Sequence, residues 1–123
     1  MSKPYFATHA AVTLAATGGT GAATIKIPAS ATRFVCQAIN AQGDPASGTN
    51  RQHFTIKLRD NQNGEWCNQA VRADQLAGTG ENPGLLINEV EIPAGQQVEV
   101  DYVNENGAVV YSNVRTTLVG RLE

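Results

Sequence analysis

The chain has 123 residues, 41% apolar and 16% charged, with 9 Lys/Arg against 11 Asp/Glu and a formal net charge of −2. This length suits one domain with a modest core, and the low charge leaves Asn, Gln, Thr and Ser to form the polar surface, a composition compatible with a subunit held in an assembly. No apolar run of about 18 residues is present, so a membrane span is not expected. No secretion-signal pattern is read near the start, and an acidic chain with scattered basic residues makes a poor nucleic-acid footprint.

Residues 1–10 are expected as an N-terminal arm, with a single domain over 11–123. Pro4 discourages regular structure around it, while Tyr5 and Phe6 form an apolar pair expected to dock on the same domain or on a neighbour. Residues 11–14 read as a weak strand and 15–22 as a small, glycine-rich turn or loop. In 23–27, Ile25 and Ile27 share a face before Pro28 stops the strand. Residues 32–39 place Phe34, Cys36 and Ala38 on one face and Val35, Gln37 and Ile39 on the other. Both faces are partly apolar, as for a strand covered on both sides or near an interface. Residues 40–50 contain Gly43, Pro45 and Gly48 and read as a long polar surface loop, a candidate contact region.

Residues 52–58 alternate most clearly, with Phe54, Ile56 and Leu58 opposite His53, Thr55 and Lys57. Residues 60–64 form a turn in which Asn63-Gly64 is a hairpin signal. Val71, Ala73 and Leu76 suit one turn of helix, and 78–83 form a Gly-Thr-Gly-Glu-Asn-Pro contact loop. In 85–92, Leu86, Val90 and Ile92 share a face that Asn88 interrupts, which predicts a bulge or twist. A compact turn follows at 93–96, then a strand at 97–103 with Val98, Val100 and Tyr102 inward. Residues 104–107 are a second hairpin signal. The last one or two strands, 108–111 and 114–119, join at a bulge or break near Ser112-Asn113. About seven to eight short strands predict an all-β, two-sheet β-sandwich, jelly-roll or Greek-key-like.

Few residues suggest chemistry. His9 and His53 lack partners at metal-ligand spacing. Cys36 reads as a small buried hydrophobe, and nothing supports a bridge from it to Cys67. Cys67, His53 and Asp60 or Asp74 are the residues a nucleophile, base and orienting group would have to come from. Glu89, Glu91, Glu99 and Asp101 would form an acidic stripe if their strands pair, although alternation puts them on solvated faces. No catalytic residue, cofactor or metal site is expected. Contacts are instead expected at Tyr5, Phe6, Arg51, Trp66 and Arg115, because aromatics and arginines anchor interfaces.

The segments Phe54-Thr55-Ile56-Lys57-Leu58-Arg59-Asp60, Gly64-Glu65-Trp66, 71–80, Ile92-Pro93-Ala94-Gly95 and 114–120 make a recurring order. A strand ends in a polar turn, a Trp-bearing link and a Gly-Thr-Gly loop follow, and a proline-led hairpin precedes a final strand. Over a little more than half the chain, this order resembles small β-rich proteins encoded among tailed-bacteriophage virion genes. The resemblance implies a non-enzymatic virion structural protein of capsid-decoration, minor-head, or head–tail or collar type. It would bind itself, the major capsid protein or head–tail proteins, as a homo-oligomer or bound to their lattice. Its location would be the virion, after synthesis in the host cytoplasm. The alternative is a carbohydrate- or receptor-binding sandwich, with Trp66 beside Asn68 and Tyr111 beside Asn113 as sugar platforms.

Overall fold

The computed structural model describes residues 3–46, 53–67, 69–73 and 84–123. Among them run ten strands: β1 (Lys3–Ala7), β2 (Val12–Leu14), β3 (Thr20–Lys26), β4 (Arg33–Pro45), β5 (Phe54–Asp60), β6 (Gly64–Glu65), β7 (Val71–Arg72), β8 (Gly84–Pro93), β9 (Gln97–Asn104) and β10 (Tyr111–Leu122). The first sheet has the order β1-β10-β4-β8 with β2 also on β10, and the second has β3-β9-β5-β6 with β7 also on β5. All pairs are antiparallel.

β1 and β2 lie along the same partner, β1 against Leu118–Leu122 and β2 against Tyr111 and Val114. They act as one interrupted strand. β6 and β7 similarly divide β5 between them. With each pair merged, every connection passes from one sheet to the other except the turn from β5 to β6. This is jelly-roll wiring, two Greek keys folded into facing sheets.

The crossings correct two expectations. Residues 104–107 carry hairpin chemistry, yet β9 and β10 belong to different sheets. Asn104 makes the difference: it is buried, and its amide donates to Ala15 O at 3.0 Å and Val109 O at 2.9 Å. Its Oδ1 accepts the Asn106 N–H at 2.8 Å, so the side chain closes a corner between sheets. The proline-led turn at 93–96 also joins different sheets, β8 to β9. Only Asn63-Gly64 makes the expected hairpin, with Gly64 at φ 74 and Asp60 Oδ1 accepting the Gln62 and Asn63 N–H groups at 2.8 Å.

Residues 3–7, expected as an arm, are an edge strand. Residues 40–45, expected as a loop, continue β4. Position 43 must be small there, because a Cβ on Gly43 would come within 2.7 Å of Val114 Cγ2. The rest of that expected loop, 47–50, and the 78–83 loop lie outside the described residues, as do Asp74, Leu76 and the side chains of Leu86 and Asn88. Val71, expected to begin a helical turn, pairs with Ile56 as part of β7. Between Cys36 and Ala38 the register against β8 shifts by several residues, so the irregularity expected near Asn88 is present in the backbone. A bulge on β4 between Cys36 and Ala38 reverses the alternation. Ile39 therefore joins Phe34 and Cys36 in the core, and Ala38 moves to the other face. The break expected at Ser112-Asn113 is a bulge within one strand, with Asn113 at φ 54.

Between the sheets, Phe54 of β5 meets Tyr102 and Tyr111 edge-on, at centroid distances of 5.9 and 5.5 Å. Ile25, Ile56, Leu58, Val98, Val100, Ile92 and Leu118 close around them with no measurable exposure. Burial of each such side chain contributes about 1.5–3 kcal/mol before entropy is counted.

Candidate functional site on the outer face of the first sheet

Alternation along β10 turns Val114, Thr116, Leu118 and Leu122 into the core. It leaves Asn113, Arg115, Thr117, Val119 and Arg121 on the outer face. β1 and β4 flank this row, so three zones follow one another along the sheet.

At one end the zone is charged. Arg121 reaches Glu89 and Glu123, each at 2.5 Å, and Arg33 reaches Glu123 at 2.6 Å and Glu91 at 3.0 Å. Hydrogen bonding to Glu123 is the main cause raising both guanidinium pKa values, and Arg121 leads in lowering that of Glu123. Val35 registers between Arg121 and Glu91 and is buried on this outward face. Glu123 thus completes this zone, while Leu122 before it turns into the core.

The middle zone is apolar. Phe6 registers with Val119, and Val119 with Ala38. Phe6 is 66% exposed. Beside it, β1 pairs only with β10 among the described residues, so its other edge faces outward. Tyr5 points the opposite way and packs edge-on against Phe34 at 6.1 Å.

The third zone is polar. Asn40, Gln42 and Asp44 on β4 and Thr117, Arg115 and Asn113 on the neighbouring β10 together line an open groove of about 530 Å³. Thr117 Oγ donates to Thr8 Oγ at 3.2 Å, and Asn113 Nδ2 donates to Asp44 Oδ2 at 2.9 Å. Asn40 Oδ1 is buried without a hydrogen-bond partner.

Beneath this zone lies a buried polar link between the sheets. His9 Nδ1 donates to Ala10 O at 2.6 Å, which fixes Nε2 as an acceptor. Nε2 accepts the Thr116 N–H at 3.0 Å and the Tyr102 O–H at 2.5 Å. Thr116 Oγ in turn lies 2.6 Å from Tyr102 Oη. Burial lowers the His9 pKa, the Ala10 bond opposes this, and the Arg115 charge adds to it. Burial likewise pushes the Tyr102 phenol up.

Of the expected contact residues, Phe6 and Arg115 share this face. Tyr5 belongs to the core side, and Arg51 lies outside the described residues. Trp66 sits with the second sheet, packed against the core, its Nε1 donating to Asp60 Oδ2 at 2.5 Å. Of the two expected sugar platforms, Tyr111 beside Asn113 does not form, and Trp66 beside Asn68 falls partly outside the described residues. Tyr111 is fully buried, Asn113 is held by Asp44, and Asn68 lies outside the described residues. The acidic residues do not make one stripe either: Glu89 and Glu91 belong to the first sheet and Glu99 and Asp101 to the second. There Arg59 binds Glu99 at 2.7 Å and Asp101 at 2.5 Å.

Cys36 and Cys67 are free thiols, and burial pushes the Cys36 pKa to about 12. The sequence pattern missed the groove because 40–45 resembles a loop, although amide or acid at every second position is an outward-facing strand signal. Comparison with protein-family models, with curated proteins and with solved structures found no match.

Proposed function

We propose that the protein is a non-enzymatic structural subunit of a tailed-phage particle, binding copies of itself or a capsid or head–tail protein. The observation that carries this reading is the outward edge of β1 together with exposed Phe6. An unpaired strand edge offers N–H and C=O groups to another chain, and an aromatic beside it supplies the apolar anchor. Pro4 and Lys3 on the same short strand limit indiscriminate pairing. The resemblance of the 54–122 segment and the jelly roll support a virion setting, the latter by fold analogy, since capsid and lectin domains both use it. The mechanism is clamping: apolar area buried across a joint between subunits stabilises the joined state by mass action.

Light scattering after size-exclusion chromatography, and co-sedimentation with phage capsids, test this reading. Phe6→Asp should abolish self-association or capsid binding while the melting temperature changes little, because Phe6 is exposed. Wild-type protein that neither self-associates nor binds capsids would refute the proposal. Association unchanged by Phe6→Asp would remove the β1 edge from it.

A further inference from the structure

We propose that the polar groove on the first sheet is a binding site for an acidic saccharide, with Arg115 clamping the sugar carboxylate and Asn40, Gln42 and Asp44 meeting its hydroxyls. The groove of about 530 Å³ falls within the roughly 300–1,000 Å³ usual for ligand sites. Its β4 side, from Asn40 to Asp44, runs about 13 Å at ~3.3 Å per residue.

Arg115 indicates the charge of the ligand. Arg33, Arg59, Arg72 and Arg121 each meet a carboxylate. Arg115 meets none among the described residues, although Asp44 lines the same groove. The bulge between Ser112 and Arg115 leaves Arg115 opposite Gln42 and Asp44 opposite Ser112. It holds Asn113 at φ 54, and the Asn113 amide occupies Asp44 Oδ2. Bulges re-aim side chains in this way beside functional sites. The exposed guanidinium thus keeps its planar fork available for a carboxylate.

The remaining groups select the rest of the ligand. Asn40 and Gln42 offer both donors and acceptors, Thr117 a hydroxyl, and Asp44 acceptors only. A neutral sugar would leave Arg115 unused. A protein partner would bring apolar surface to the centre of its contact, but the groove is lined by polar side chains, and the apolar strip at Phe6 lies outside it. A hydroxyl-rich molecule with one carboxylate per unit, such as a uronic-acid oligosaccharide, offers a carboxylate to Arg115 and hydroxyls to Gln42, Asp44 and Thr117.

Isothermal titration of the full chain with an oligogalacturonide at low salt, beside a neutral galacto-oligosaccharide of equal length, tests the site. The expected result is saturable binding of the acidic oligomer, at least 10-fold weaker in Arg115→Gln, weaker in Gln42→Ala, and undetectable for the neutral oligomer. Thermal melting would confirm that both variants keep the fold. No binding of the acidic oligomer, equal binding of the neutral one, or binding insensitive to Arg115→Gln would overturn the proposal. If Arg115→Gln altered association between proteins while the wild type ignored saccharide, the groove would be a protein contact and the proposal would fall. The assembly reading rests on Phe6 and would survive any of these outcomes.

Discussion

His9 makes the stability of this fold depend on pH, and replacing it with glutamine tests how. In the folded chain the neutral ring accepts the Thr116 N–H through Nε2 and donates to Ala10 O through Nδ1. A proton on Nε2 would turn an acceptor into a donor facing another donor, and would place a cation near Arg115. The histidine pKa is accordingly lowered from 6.5 by burial. Below about pH 6.5 the unfolded chain binds a proton that the folded chain resists. The stabilisation from a neutral His9 is therefore complete above that pH and is lost as pH falls through the folded value. One proton gives a slope of at most about 1.4 kcal/mol per pH unit. From pH 6.5 to 5 the loss is thus at most about 2 kcal/mol, or about 8 °C in melting temperature for a domain of this size. Glu123, also shifted downward, loses its contribution below its ordinary value of 4.5, outside this window. Melting followed by circular dichroism from pH 8 to 5 is the assay. The wild type should lose several degrees below pH 6.5. His9→Gln should start lower at pH 8, by about 1–3 kcal/mol for the disturbed Thr116 N–H, and then stay nearly flat to pH 5. Parallel decline of the two proteins would refute the reasoning.

Three further outcomes follow from packing. Asp60→Ala removes the acceptor of the Gln62 and Asn63 N–H groups and of the Trp66 indole. It should cost about 2–3 kcal/mol in urea unfolding and shift Trp66 emission to longer wavelength; an unchanged midpoint would show the turn is held otherwise. Gly120→Ala would put a Cβ 1.9 Å from Val35 O, so a loss of about 3 kcal/mol, the upper end of overpacking, is expected. Gly107→Ala, with open space around it, should change stability by less than about 0.5 kcal/mol, and equal effects at the two sites would contradict this packing. Thiol titration of native protein should label Cys67 quickly and Cys36 only after denaturation, since Cys36 is fully buried; rapid modification of both would mean the β4 core opens readily.

Much of the architecture was legible where bulky and polar residues alternate. Val98, Val100 and Tyr102 are buried as read, and so are Phe54, Ile56 and Leu58. The candidate site was legible in two of its residues, Phe6 and Arg115, but not as a surface. Asn40, Gln42 and Asp44 alternate with Ala41 and Gly43, small residues that carry little strand signal. Only the approach of Val114 shows why position 43 must be small. His9 looked like an arm residue because its partners Tyr102 and Thr116 are about a hundred positions away in the chain.

Side-chain alternation by itself determined that this chain forms strands and which faces most of them bury, because a strand's period of two is a local property of the backbone. Turn residues determined where the chain reverses. The tertiary structure alone decided which strands pair after each reversal, since a turn signal fixes a change of direction and not a hydrogen-bonding partner. It sent the 104–107 and 93–96 turns across the sandwich, put residues 3–7 on an edge, and after the β10 bulge set Arg115 opposite Gln42. These placements depend on closing a core between distant segments, and that packing energy exists only once both sheets are present.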